Sequence, residues 1–256
     1  MATFVLVHGA WAGGWCWKLV APLLRAEGQE VYTPTLTGLG ERSHLAGPWI
    51  NFQTHVQDVV NVLEFEELRD VLLVGHSLGG TVVGAVAHRV PERIARLIFL
   101  DAILPVDGRS VLETFEDYGT TDFAVSLRQH FEHGDPNWVF PVPAAGGSEL
   151  DAADPDIVAW VEARERPHPA GAVTTPIRLG NPNAERIPRT YIACTRRQSG
   201  GLIPLISEEV RADPDWQYLE IDAVHDANLT APDELSRIFM EIAEQAESSS
   251  TLIDSP

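Results

Sequence analysis

Two kinds of hydrophobic pattern alternate along most of this chain. Short runs rich in apolar residues fall at residues 4–7, 30–35, 70–75, 96–102, 189–195 and 216–222. Most of these runs are continuously apolar, which is typical of parallel strands covered on both faces. Between them, apolar residues recur at the spacing of amphipathic helices, as in Leu235, Ile238, Phe239 and Ile242. This alternation predicts an α/β fold with a mostly parallel, doubly wound sheet.

The alternation stops between residues 102 and 188. This stretch contains no convincing strand and is rich in proline, glycine and aromatic residues. A structureless loop of that length is uncommon inside a compact domain. We therefore predict a helical cap inserted at 105–187 into a core made of 1–104 and 188–256. An independent second domain is the alternative.

The chain is acidic, with a formal net charge of −19 at pH 7. Such a surface repels phosphate backbones and anionic lipids, so we expect neither nucleic acid nor a membrane as a partner. No apolar run approaches the roughly 18 residues of a membrane span, and no leader pattern precedes the first run. Cys16 and Cys194 are the only cysteines, and free buried thiols favour a cytoplasmic protein. Monomer and homodimer both stay open.

Residues 75–79 read GHSLG, between the apolar run DVLLV and a small-residue helical pattern. A G-x-S-x-G sequence in this strand–turn–helix context indicates a nucleophile elbow, a sharp turn that lifts its serine above the sheet. Glycine neighbours relieve crowding around the strained residue. Ser77 is therefore the candidate nucleophile. The alternative is a tight turn with a buried hydroxyl.

A second glycine motif, HGAWAGGW at 8–15, follows the first apolar run. A serine nucleophile needs two N–H donors aimed at the oxyanion that forms during attack. One comes from the residue after the serine, here Leu78, and the other from the loop after an early strand, here Ala10. A plain glycine-rich turn is the alternative.

The general base should be a histidine late in the chain, on a loop after the last strand. Of nine histidines, only His225 follows the last apolar run and precedes the last helix. His8 and His76 lie inside the glycine motifs and are expected to be structural or to line the pocket. The others are expected to be solvated or to cap helices: His44, His55, His88, His130, His133 and His168.

These motifs, HGAWAGGWCW, GHSLGG and the late histidine, together with the predicted cap, resemble the α/β-hydrolase superfamily. Within it the chain resembles the plant methylesterase and hydroxynitrile lyase group and its bacterial esterase relatives, over roughly residues 3 to 245. The resemblance implies a parallel sheet, a helical cap over the pocket and no cofactor. It implies the same roles for Ser77, His225, Ala10 and Leu78.

The catalytic acid does not carry over from the plant relatives. They place it in the turn after the strand that corresponds to TYIACT, where this chain has Arg196, Arg197 and Gln198. Some lipases and lactonases of the superfamily place the acid after the preceding strand, and the match implies Asp101 here. An Asp that ends an apolar run also needs a partner for its charge. Asp222, Asp226, a Ser–His dyad and an inactive protein are the alternatives.

The predicted reaction is hydrolysis of small apolar or aryl carboxylic esters through an acyl-enzyme on Ser77. No cysteine–histidine cluster has metal-ligand spacing, so neither a metal nor another cofactor is expected. Trp11 and His76 are expected to bind substrate. Trp138 and Phe140 either join them or fill the cap core.

Three alternative functions stay open. Lactone hydrolysis fits the displaced acid. Hydroxynitrile lyases of the resembled group use a Thr in the oxyanion loop and a Lys after the catalytic His, where this chain has Ala10 and Asp226. A binding protein without turnover is the third alternative.

Overall fold

The computed structural model describes residues 1–119, 121–134, 136–142, 155–197 and 201–253. The strands in these ranges are β1 (Thr3–Val7), β2 (Glu30–Tyr32), β3 (Val71–His76), β4 (Ile94–Leu100), β5 (Val139–Phe140), β6 (His168–Pro169), β7 (Arg189–Cys194) and β8 (Trp216–Ile221). Six of them form one sheet in the order β2–β1–β3–β4–β7–β8, and every neighbouring pair is parallel. Each strand of this sheet overlaps one predicted apolar run, so the predicted α/β-hydrolase sheet is confirmed.

The α-helices of the described residues are α1 (Val20–Ala26), α2 (Phe52–Phe65), α3 (Gly79–Arg89), α4 (Val111–Asp117), α5 (Thr121–His133), α6 (Pro155–Glu162), α7 (Gly171–Thr174), α8 (Leu202–Ala212), α9 (Ala227–Thr230) and α10 (Pro232–Ile253). Short 3₁₀ turns lie at Gly14–Trp17, Gly40–Leu45, Pro91–Arg93 and Ala184–Arg186. None of the helices in these ranges is long and apolar enough to cross a membrane.

Two separate hydrophobic clusters flank the central sheet, which explains why most of its strands are continuously apolar. Along β1, Val5 and Val7 belong to the cluster that contains α2 and α3 residues. Phe4 and Leu6 point the other way, into the cluster formed with α1 and α10 residues. Because successive side chains of a strand face opposite sides of the sheet, a strand covered on both faces has no polar side.

The segment between β4 and β7 carries helices α4 to α7, in agreement with the expected helical character of residues 105–187. It also contains the short antiparallel pair of β5 and β6. We expected no strand in this stretch, and that expectation is wrong, because β5 and β6 are strands of two residues each. Such short strands give too few residues for a visible alternation of polar and apolar positions. The division into core and cap stays a prediction.

The order of strands places the site. The chain moves outward from β1 to β2 and then returns to β3 on the other side of β1. In parallel α/β sheets, ligands bind at the carboxyl ends of strands where the order reverses. The loop after β1 and the turn after β3 meet at that point, and they carry the two glycine motifs.

Gly79 marks how closely these two segments approach. A Cβ atom at this position would lie 2.5 Å from the carbonyl oxygen of His8 and 2.9 Å from that of Val7. Both oxygens belong to the backbone, which cannot move aside as a flexible side chain can. The elbow can therefore pack against β1 only with glycine at position 79.

We expect Gly79→Ala to lower the free energy of unfolding by about 2 kcal/mol, because overpacking forces the backbone apart, and to lower the Tm by about 5 °C. The matched control is Gly180→Ala, where an added Cβ would meet nothing within 4 Å. Thermal unfolding of both variants checks the prediction. A Gly79→Ala protein with the same Tm as the wild type would contradict the prediction.

Candidate active site

Ser77 occupies the sharp turn between β3 and α3. Its φ is 53°, in the left-handed region that non-glycine residues rarely adopt. Two backbone hydrogen bonds tie this turn to the exit of β4: Ser77 N–H donates to the Leu100 carbonyl at 3.2 Å, and Ile103 N–H donates to the Ser77 carbonyl at 3.0 Å. The strained turn expected of a nucleophile elbow is therefore present and braced by the neighbouring strand.

The loop after β1 lies directly against the elbow. A Cβ atom on Gly9 would come within 2.8 Å of the Ser77 Cβ, so only glycine permits this approach. Ala10 and Leu78 both line the cavity that contains Ser77. Neither of their backbone N–H groups donates to an acceptor in the described part of the chain. Two such donors beside a serine are what an oxyanion hole requires.

His225 follows β8 and precedes α9, and its ring meets the carboxylate of Asp101. Nδ1 of His225 lies 2.8 Å from Oδ2 of Asp101. A carboxylate only accepts hydrogen bonds, so Nδ1 carries the proton and Nε2 is left as the proton acceptor of the neutral ring. Both residues line the same cavity as Ser77. The structure thus brings together the three residues predicted as nucleophile, base and acid.

Asp101 is fully buried and has a φ of 40°. Its Oδ1 accepts from the Cys194 N–H at 3.1 Å and from Nη1 of Arg197 at 2.7 Å. With His225 on Oδ2, the carboxylate has a donor on each oxygen. A buried carboxylate is tolerable only when it is paired and hydrogen-bonded in this way.

The competing carboxylates lie elsewhere. The Asp222 side chain is 76% exposed and pairs with Arg196. Asp226 lines the cavity, but Nδ1–H of His225 donates to Asp101. The turn after β7, where the plant relatives place the acid, presents Arg196 and Arg197 here; Gln198 lies outside the described residues.

His76 supports the backbone of His225 rather than its ring nitrogens. Burial, together with the nearby His225, lowers the pKa of His76 to about 4. The neutral ring therefore donates from Nε2 to the His225 carbonyl at 3.0 Å. The two ring centroids are 4.7 Å apart. His76 thus helps to fix the loop that carries the candidate base.

The cavity above Ser77 has a volume of about 360 Å³, at the small end of the range for ligand sites. Its walls are mostly apolar and come from the β1 loop, the segment between β4 and β7, α8 and α9: Trp11, Trp15, Ile103, Val111, Phe115, Phe140, Val161, Leu202, Ile203 and Leu229. Such a cavity suits a small, largely apolar molecule.

Three of the four predicted substrate-binding residues line this cavity: Trp11, His76 and Phe140. The Trp11 ring packs on Phe140 with centroids 4.6 Å apart, and its Nε1–H donates to the Phe140 carbonyl at 3.2 Å. Trp138 is not among the lining residues of the described chain. It is half-buried, and its carbonyl accepts from Ala170 N–H. Both options stated for Trp138 stay predictions.

Two acidic residues lie on the cavity wall; sequence reasoning missed Glu165 and considered Asp226 only as an alternative acid. Glu165 lies just after α6, and Asp226 directly follows the candidate base; both line the cavity. Burial raises the pKa of Glu165, and the charges of Asp226 and Glu162 raise it further. Neither periodicity nor a motif marks Glu165, because its approach to the site depends on how α6 folds back.

No group of three or more His, Cys, Asp and Glu residues in the described ranges could hold a metal ion.

A sequence model of the alpha/beta hydrolase family matches residues 4–238. The chain belongs to the alpha/beta hydrolase family. The predicted resemblance and the predicted fold are both confirmed by this match. The elbow, the β1 loop and the late histidine all lie within the matched residues.

Similar proteins include a carbendazim-hydrolyzing esterase from Nocardioides sp. (strain SG-4G), which is 35% identical over 92% of this chain and 97% of the relative. A putative chloroplastic methylesterase 15 of Arabidopsis thaliana is 25% identical over 94% of this chain, and the match spans 56% of that protein. An extracellular alpha/beta-hydrolase from a Paenibacillus species, described as sharing structural and functional homology with tobacco salicylic acid binding protein 2, superposes with a TM-score of 0.80. It is 26% identical and covers 94% of this chain and 98% of its own. These names support an esterase-type hydrolase.

Beneath the β1 loop of this alpha/beta hydrolase lies a cluster of three buried histidines, His8, His55 and His168. Sequence reasoning expected His55 and His168 to be solvated or capping, which is wrong: each is 1% exposed. Their rings meet edge to face with centroids 5.2 Å apart. The apolar face of α2 and the fold of the segment around β6 bury them.

The cluster holds the β1 loop through hydrogen bonds that need neutral rings. Nδ1–H of His8 donates to the Gly9 carbonyl at 2.8 Å, and its Nε2 accepts from the Leu36 N–H at 3.1 Å. Nδ1 of His168 lies 3.4 Å from the Trp11 N–H. Burial lowers the pKa of His8 to about 4 and that of His168 well below its usual value.

We expect stability to fall as the pH drops below about 6.5. A histidine whose pKa is lower in the folded state stays neutral there while the unfolded chain binds its proton, so stability is lost between pH 6.5 and the folded pKa, about 4 for His8. His8 alone would cost about 2 kcal/mol between pH 6.5 and pH 5. Urea unfolding at pH 7.5 and pH 5 measures the loss.

His55→Gln isolates the effect of one ring, since burial also lowers the pKa of His55. The Gln amide can still donate to the Thr37 carbonyl, which accepts from Nε2 of His55 at 3.0 Å, but it does not titrate. This variant should lose less stability between the two pH values than the wild type. His133→Gln, at an 80% exposed side chain, is the matched control and should follow the wild type. Equal losses in all three proteins would contradict the prediction.

Proposed function

We propose that the protein hydrolyses carboxylic esters of small apolar or aryl substrates through an acyl-enzyme formed on Ser77. The observation that carries the proposal is the 2.8 Å hydrogen bond between His225 and buried Asp101 at the wall of the cavity that contains Ser77. The family match and the names of the esterase relatives support the same reaction class.

In the proposed first step, Nε2 of His225 takes the proton of the Ser77 hydroxyl as the oxygen attacks the ester carbonyl. Asp101 fixes the tautomer in which Nε2 is the proton acceptor and stabilises the imidazolium that forms. The N–H groups of Ala10 and Leu78 donate to the oxyanion of the tetrahedral intermediate. The imidazolium then protonates the departing alcohol.

The second half of the reaction uses the same groups. Water enters after the alcohol has left, and His225 takes one of its protons as the water oxygen attacks the acyl group on Ser77. The second tetrahedral intermediate collapses, His225 returns a proton to the serine oxygen, and the carboxylic acid leaves. Proton count is balanced without any further group.

The cavity supports the substrate class. A volume of about 360 Å³ bounded by aromatic and aliphatic side chains suits a small aryl or alkyl ester. The carboxylates of Glu165 and Asp226 on its wall disfavour an anionic substrate. Relatives that are named for hydrolysis of carbendazim and for methylesterase activity agree with a small substrate.

Lactone hydrolysis is the second candidate. The observation that favours it is the acid at the end of β4 instead of the turn after β7, an arrangement that the resemblance associates with lactonases. The same residues would open a lactone, with the alcohol staying attached to the acyl group. Assay of a γ-lactone beside an open-chain ester of equal size separates the two candidates by their kcat/KM.

We expect Asp101→Asn to lower kcat for a p-nitrophenyl ester by about 10⁴-fold, because the amide no longer fixes the tautomer of His225. Asp222→Asn is the matched control: its side chain is 76% exposed, so activity should stay within about twofold. A full effect at Asp222 and none at Asp101 would reverse the assignment. Circular dichroism checks that both variants fold.

We also expect a fluorophosphonate probe to label the wild type at one residue, Ser77. Phosphonylation needs an activated serine and an oxyanion hole, and it does not depend on the physiological substrate. Mass spectrometry of the labelled peptide identifies the site, and Ser77→Ala should remain unlabelled. A folded wild type that resists the probe would favour a binding protein without turnover.

A further inference from the structure

The turn after β7 does not contribute the acid, but it does contribute a cation that reaches it. Arg197 lies three residues beyond the end of β7, and Nη1 of its guanidinium is 2.7 Å from Oδ1 of Asp101. The same nitrogen donates to the Cys194 carbonyl at 2.8 Å. The Arg197 side chain is 15% exposed and that of Asp101 is 0% exposed. This ion pair is therefore shielded from most of the screening that weakens surface pairs.

The two oxygens of Asp101 are divided between two tasks. Oδ1 accepts from Arg197 and from the Cys194 N–H, at 2.7 and 3.1 Å. Oδ2 is left to face Nδ1 of His225 at 2.8 Å. Because Oδ1 is held by two donors, the carboxylate cannot rotate without breaking both contacts. Arg197 thus fixes the orientation of the group that orients His225.

The charge of Arg197 also offsets an otherwise negative surrounding. The titratable and charged groups around His225 in the described part of the chain include His76, Asp101, Glu165, Cys194, Arg197 and Asp226. His76 is neutral, and burial raises the pKa of the Cys194 thiol, so it is neutral as well. Among the described residues that line the cavity, Arg197 is the only arginine or lysine.

We propose that Arg197 is a positioning residue that holds Asp101 and partly neutralises it, so that His225 gives up its proton at a lower pH and is ready as a base near neutrality. The inference rests on the proposed role of His225. A fully charged Asp101, with the carboxylates of Asp226 and Glu165 nearby, would stabilise the imidazolium and delay its deprotonation. Arg197 reduces that stabilisation because it pairs with the same carboxylate, Asp101, that contacts His225.

A purely structural role predicts something different. If Arg197 only braced the turn after β7, its loss would lower stability or reduce the amount of active protein. It would not change the pH at which His225 titrates. The position of that titration therefore separates the two roles.

The first experiment follows the His225 imidazole directly by nuclear magnetic resonance, with ¹⁵N-labelled histidine and the signal assigned through His225→Gln. This readout does not depend on turnover. We expect Arg197→Gln to raise the titration midpoint of His225 by about one pH unit, since a charge at this distance shifts a neighbouring titration by that order. Arg197→Lys should stay close to the wild type, because a single nitrogen, Nη1, makes both contacts and an ammonium can replace it.

Arg196→Gln is the matched control. Arg196 is the adjacent arginine of the same turn, but its side chain is 58% exposed and pairs with exposed Asp222. In Arg196→Gln, His225 should titrate at the same pH as in the wild type. If Arg197→Gln does not fold, Arg197→Met, which keeps the apolar stem, carries the same expectation.

The pH dependence of kcat/KM for a p-nitrophenyl ester is the second readout. In Arg197→Gln the acidic limb of the kcat/KM profile should shift to higher pH by the same amount as the His225 midpoint. The plateau value of kcat/KM above the midpoint should change by less than about tenfold. The inference would be overturned if the titration midpoint of His225 in both Arg197→Gln and Arg197→Met equalled that of the wild type. An inactive wild type would instead refute the proposed function, and the NMR midpoints would still decide the electrostatic part.

Discussion

The site depends on one buried charge, the carboxylate of Asp101. An ionised group without exposure is stable only if donors replace its lost hydration. Here those donors come from three places: the end of β7, the turn beyond it and the loop after β8. The carboxylate therefore ties together the segments that meet at the candidate active site.

The neighbouring positions of β4 and β7 explain how an acid can sit at the end of either strand. The two strands are parallel and in register up to Leu100 and Ile192, so residues just beyond their ends face the same region above the sheet. Tyr191 strengthens the turn after Asp101, because its hydroxyl accepts from the Ala102 N–H at 3.1 Å and donates to the Ala102 carbonyl at 3.0 Å. The acid position thus depends on the ends of two adjacent strands rather than on one fixed turn.

Much of the fold could be predicted because it is encoded locally. Each apolar run became a strand of the parallel sheet, and the elbow motif predicted the strained turn at Ser77. The contact of Arg197 with Asp101 could not be predicted, because it joins residues 96 positions apart through a guanidinium that folds back over β7. The burial of His55 and His168 was missed for a related reason: it depends on how the segment between β4 and β7 covers α2, and polar residue types alone favour exposure.

The electrostatics of the cavity follow from these long-range contacts. A histidine base must be neutral to accept a proton, yet it must also be stabilised once protonated, and the two demands oppose each other. In the proposed mechanism Asp101 serves the second demand, while Arg197 limits how far it does so. His76 adds a neutral donor that holds the His225 backbone without adding charge. Glu165 and Asp226 also line the cavity, so its described lining residues include more acidic than basic side chains, with Arg197 as their only arginine or lysine. Under our proposal, Arg197 sets how far that acidic excess acts on His225.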